Sequence, residues 1–120
     1  MKIALTSTGK DLTSEMDPRF GRAAYFIVVD PESLEYEVVE NDENVHLSQG
    51  AGIQAGKTIV DKGAEVLITG FCGPKAFKVL ESAGIKTIVG VKGRIKDVIE
   101  SYNSGKYKET NTPNVDGHWV

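Results

Sequence analysis

The run Asp17-Pro18-Arg19-Phe20-Gly21-Arg22 places two guanidinium groups in one short polar loop. Such a pair can clamp an anion through charge-assisted, forked hydrogen bonds. A structural reading competes with this one: Asp17 and Arg22 form a network that shapes the loop over a packed Phe20. The lone cysteine, Cys72, lies in GFCGP, after an apolar run and before a periodic one. A helix N-terminus there favours the thiolate, the best soft metal ligand this chain has. The competing reading is a small buried hydrophobe. His46 in NDENVHLSQG and His118 in NVDGHW are candidate imidazole ligands. Loop histidines are often idle, and a terminal segment often carries no function. Met16 offers a thioether, although a methionine in a loop usually packs.

The stretch GAGIQAGKT, residues 50–58, comes close to a phosphate-gripping loop, with Ala51 where the first glycine belongs. That loop must follow a buried strand directly, and the ten residues before Gly50 are polar. A helix starting near Gly50 puts Lys57 two turns inside it, beyond reach of a phosphate at the helix mouth. The strand VLITG also ends in glycine rather than a magnesium-holding aspartate. ATP is therefore not an expected ligand. Gly50 and Gly52 still open a helix whose first N–H groups attract anions without any side chain. Close packing of helix on sheet is the other reason for glycine here, and for Gly56 it is at least as strong.

Those residues need a scaffold, and the composition supports one. A chain of 120 residues, 40% hydrophobic and 26% charged, suits one globular domain with its own core. A net charge of −3 gives no footprint for nucleic acid or an anionic membrane. A single cysteine excludes an internal disulfide framework and fits a reducing cytoplasm. No apolar run approaches the ~20 residues of a membrane span, and MKIALTST turns polar too soon for a signal peptide.

The pattern predicts strands over Lys2–Thr8, Tyr25–Asp30 and Leu34–Glu40, the last two joined as a hairpin around Asp30-Pro31-Glu32-Ser33. A helix over Gly50–Lys62 follows, with Ile53, Gly56, Ile59 and Val60 on its apolar face and Gly63 as its stop. Two strand–loop–helix units come next. They are Val66–Gly70 with Lys75–Ala83, and Thr87–Gly90 with Arg94–Asn103. Helix-linked strands are parallel, and the hairpin strand runs the other way. The expectation is an α/β fold: a five-stranded mixed sheet of order 3-2-1-4-5, strand 2 antiparallel, with helices on both faces. Residues 1–105 form the domain, and 106–120 an irregular tail. Loops 9–23, 41–50, 70–74 and 90–93 then gather outside the C-terminal ends of the parallel strands, where open α/β sheets bind ligands. No Ser–His–Asp set, CxxC or HExxH is present, so there is no signature of hydrolysis or of a closed zinc site, and no catalytic role is expected.

DPRFGRAAYFIVVD, then GAGI opening a helix, then ITGFCGPKAFKVLESAGI, resembles the dinitrogenase iron–molybdenum cofactor biosynthesis family over most of residues 1–105. NifX-type carriers and the C-terminal domain of NifB belong to that family. The ending NVDGHW is similar to that of some small stand-alone members. The resemblance implies a ribonuclease-H-like fold and non-catalytic binding or carriage of an iron–sulfur or molybdenum–sulfur cluster. Its partners would be cluster-donor or cluster-acceptor proteins. Some stand-alone members resemble a protein that holds a mixed molybdenum–copper sulfide cluster. In this frame Arg19 and Arg22 neutralise the cluster, and N–H groups of Gly50, Ala51, Gly52 and Gly73 bond its sulfides. Cys72 ligates metal, with His46 or His118. A small-anion or nucleotide-binding regulatory module and a metal-free protein-interaction domain are the alternatives. The oligomeric state is not legible in the sequence.

Overall fold

The computed structural model describes residues 1–41 and 50–108. Strand β1 (Ile3–Ser7) is central, β2 (Tyr25–Val29) and β3 (Tyr36–Glu40) form the hairpin, and β4 (Val66–Ile68) and β5 (Lys86–Ile88) follow. Helices α1 (Ala51–Asp61), α2 (Pro74–Ser82) and α3 (Ile95–Asn103) complete the described elements. The sheet order is β3-β2-β1-β4-β5. Strand β2 is antiparallel to both β1 and β3, whereas β1–β4 and β4–β5 are parallel. This is the predicted topology.

Side-chain alternation along each strand divides the interior into two cores. Ala4, Phe26, Val28 and Leu67 face α1 and α2. Ile3, Leu5, Ile27, Val29, Val66 and Ile68 face the other way, onto Ile95, Val98 and Ile99 of α3. Because both faces are covered, β1 and β4 are buried at every position, which is why β4 and the first half of β1 read as continuous apolar runs.

The buried stripe of α1 differs from the predicted one. It consists of Ala51, Gly52, Ala55, Gly56 and Ile59, while Ile53 is half-buried and Val60 exposed. Small residues allow α1 to approach α2 closely: a Cβ on Gly56 would lie 3.0 Å from Val79 Cγ1. Gly63, as predicted, and Gly84 end their helices with left-handed backbone, φ 80° and 75°. Beyond α3, Tyr107 packs on the second core, and the remaining predicted tail, 109–120, lies outside the described residues.

Candidate functional site

The C-terminal ends of β1 and β4 deliver two loops to one edge, where Asn41 follows β3 and Gly50 opens α1, and backbone hydrogen bonds stitch the two loops together. The N–H of Phe71 donates to Pro18 O at 2.7 Å, and the N–H of Phe20 donates to Phe71 O at 3.1 Å. These bonds bracket Arg19, which pairs with Phe71 as an isolated bridge. The arginine loop therefore lies directly against the GFCGP loop. Gly70 permits the contact, because a Cβ there would sit 2.6 Å from Pro18 O.

On its other flank the loop meets the start of α1. A Cβ on Gly21 would lie 2.6 Å from Gly52 N and 2.8 Å from Gly52 Cα. Backbone meets backbone at this point, so neither side can yield. Gly21→Ala is expected to cost about 1–3 kcal/mol by overpacking, or roughly 4–12 °C in melting temperature for a domain of this size. Thermal unfolding followed by circular dichroism checks it, and an unchanged midpoint would contradict the close contact. Gly50 has a different requirement: it is the N-cap of α1 with φ 83°, a left-handed conformation that disfavours other residues.

Buried polar groups anchor this assembly to the sheet. Thr6 Oγ1 donates to Asp17 O at 2.7 Å and lies 2.9 Å from Thr69 Oγ1. The single Thr6 proton is thus committed, so the Thr69 hydroxyl donates to Thr6. Asp17 is buried, and its carboxylate accepts the N–H groups of Arg19 at 3.1 Å and Ala24 at 3.3 Å. Its side chain therefore shapes the loop from within, by backbone N–H groups at both ends of the arginine pair. Phe20 is fully buried beneath the loop, its ring centroid 5.7 Å from that of Phe26. Asn41, at the start of the 41–50 loop, donates from Nδ2 to Gly21 O at 3.1 Å and Ala23 O at 2.8 Å.

The helix starts differ in what they face. The first N–H groups of α3 are taken: Ile95 donates to Ser14 O and Lys96 to Leu12 O, both at 2.9 Å. The starts of α1 and α2 flank the arginine loop, and neither has an acidic residue in its first turn. Lys75 is instead exposed in the first turn of α2, a cation at the positive end of a helix dipole. Lys92, between β5 and α3, is another exposed cation at this edge. Lys75 follows directly on loop 70–74, and Lys92 lies within loop 90–93.

Among the predicted site residues, Arg19 is exposed and Arg22 half-buried. Gly50 is half-buried, and Ala51, Gly52 and Gly73 are buried in the loop and helix starts beside the arginines. His46 and His118 lie outside the described residues. For Cys72 the structure matches the competing reading, a small buried hydrophobe, rather than the thiolate. Cys72 is fully buried in the first core, and its Sγ lies 3.8 Å from Gly73 O. Burial pushes its thiol up to about 12, where the helix start was expected to favour the thiolate. Desolvation wins because the side chain turns into the core rather than toward the edge. Among the described residues, no three His, Cys, Asp or Glu side chains converge as metal ligands.

The raised thiol has a measurable consequence. The unfolded chain loses this proton near the ordinary value of about 8.5, whereas the fold holds it until about 12. The stabilisation is thus complete below the unfolded value and is lost as pH rises toward the folded one. The stability advantage of wild type over Cys72→Ala should shrink by about 1–2 kcal/mol between about pH 8 and about pH 10. Urea unfolding of both proteins checks this, and a constant difference would contradict a protonated, buried thiol.

A family model described as dinitrogenase iron-molybdenum cofactor matches residues 1–105. The chain belongs to that family. Within the solved structures, it is similar to the orange protein of Desulfovibrio gigas in its apo form. That likeness has a TM-score of 0.92 at 41% identity and covers 95% of this chain and 96% of the other. A putative NifB protein from Thermotoga matches with a TM-score of 0.82 at 37% identity, covering 97% and 98%. An uncharacterized protein of Methanocaldococcus jannaschii is 30% identical over 112 residues, 91% of each chain. These likenesses span nearly the whole chain, so the loops of the edge lie inside the family match. No described helix is long and apolar enough to cross a membrane.

Proposed function

We propose that this member of the dinitrogenase iron-molybdenum cofactor family is a non-catalytic cytoplasmic carrier of a polyanionic metal–sulfur cluster, iron–sulfur or molybdenum–sulfur. Its role would lie in biosynthesis, transfer or storage of a cofactor, between donor and acceptor proteins. One observation carries the reading: the Arg19 and Arg22 loop is locked by backbone contacts between the start of α1 at Gly52 and the GFCGP loop before α2. Cations and helix starts thereby meet at one sheet edge. Lys75 stands where a helix would favour an acid, which is the arrangement expected of an anion site rather than of helix stabilisation.

The cluster is cargo in this reading, held by charge and by N–H groups of Gly50, Ala51, Gly52 and Gly73 against its sulfides. The buried Cys72 thiol adds no thiolate while the core stays closed. His46 and His118 remain the candidate imidazole ligands. Binding by charge suits transfer, since fixed clusters are usually anchored by four thiolates. The absence of a poised thiolate equally supports a small-anion module on the same edge. Anaerobic reconstitution with iron, sulfide and tetrathiomolybdate, then desalting and metal analysis, separates the two. Retained metal that about 10 mM phosphate cannot displace supports the carrier. A melting temperature raised by phosphate, with no metal retained, supports the anion module.

A further inference from the structure

The carboxamide of Asn41 grips the backbone on both sides of Arg22. Its Nδ2 donates to Gly21 O at 3.1 Å and to Ala23 O at 2.8 Å, and its own N–H donates to Ala24 O at 3.2 Å. Two carbonyl acceptors fix the orientation of the amide, because only the NH2 end can serve both. Asn41 is 2% exposed, at the end of β3, so these bonds form away from competing water. Gly21 is also the residue whose backbone abuts Gly52 at the start of α1. One side chain thus ties together the sheet, the arginine turn and the helix start. Asp17 grips the other end, at Arg19 N and Ala24 N. The turn that carries Arg22 has its peptide groups held on each side.

We infer that Asn41 is a positioning residue for cargo binding, acting through Arg22 by fixing the Gly21–Ala23 backbone. The inference rests on the carrier reading above. A pre-set turn lowers the ordering cost of binding, so loosening it should weaken binding without removing any group that touches the cargo. Asn41→Asp is the sharpest change: it keeps the size but sets a carboxylate against two carbonyl oxygens.

The test is a double-mutant cycle on retention of tetrathiomolybdate-derived cluster, using Asn41→Asp and Arg22→Gln singly and together. All four proteins are measured at a temperature where circular dichroism shows each folded. Asn41→Ser, which removes the amide without adding charge, runs alongside in case the aspartate does not fold. The expected result is a loss of about tenfold in affinity from Asn41→Asp when Arg22 is present, falling to under about twofold in the Arg22→Gln background. Equal losses in both backgrounds would overturn the inference, since a general structural defect adds independently of Arg22. No loss in either background would overturn it too, while leaving the carrier reading intact. Failure of the wild type to retain cluster would overturn both.

Discussion

Reversing both loop charges, Arg19→Glu with Arg22→Glu, is expected to abolish cluster retention while leaving a folded protein. Hydrogen bonds to charged groups contribute about 1.5–3 kcal/mol each. Losing two therefore weakens binding by roughly 3–6 kcal/mol, about a hundred- to ten-thousand-fold. Repulsion between the new carboxylates and an anionic cargo adds to this. Arg19 is exposed, so its replacement removes little packing, and the loop keeps its shape through Asp17, Asn41 and the Phe71 backbone. Metal analysis after anaerobic reconstitution reads the first effect, and the melting temperature reads the second. Full retention by the double variant would move the cargo away from this edge.

Phe20→Ala should produce the largest loss of stability among the site residues. Phe20 is fully buried and packs on Phe26 with its ring tilted by 43°. Removing a buried phenylalanine costs about 3–5 kcal/mol through lost transfer energy and the cavity left behind. Against a total of about 5–15 kcal/mol for a domain, that is a large fraction. It corresponds to a fall of roughly 12–20 °C in the melting midpoint. Because Phe20 stands between Pro18 and Gly21, the two backbone anchors of the loop, cargo retention should fall with stability. A change under about 1 kcal/mol would show that the loop does not depend on its buried ring.

The sheet was legible because chain order and connection type fix it: one tight hairpin, one long return, then two strand–loop–helix units. The grouping of the arginine, GAGI and GFCGP loops followed from that topology without any side-chain information. What escaped the sequence was side-chain direction within loops and helices. Gly56 and Ile59 lie on the buried face of α1 as the pattern predicts, but Ile53 and Val60 give way to Ala51, Gly52 and Ala55, because Gly21 abuts Gly52 and Val79 of α2 abuts Gly56. For Cys72 the sequence leaves a helix-start thiolate and a small buried hydrophobe open, and only the side-chain direction, into the core, decides for the second. Asn41 looked like an ordinary loop residue because its partners are carbonyls about twenty residues earlier, which no local pattern marks.

The most direct test of the central claim is metal retention after anaerobic reconstitution with iron, sulfide and tetrathiomolybdate, wild type beside Cys72→Ala. Near-stoichiometric metal in both proteins is the predicted result, because the edge holds its cargo by charge and N–H groups while Cys72 stays in the core. Metal retained by neither protein would contradict the carrier function. Metal retained by wild type and lost in Cys72→Ala would contradict the charge-held site, and would mean that the core opens to present the thiol.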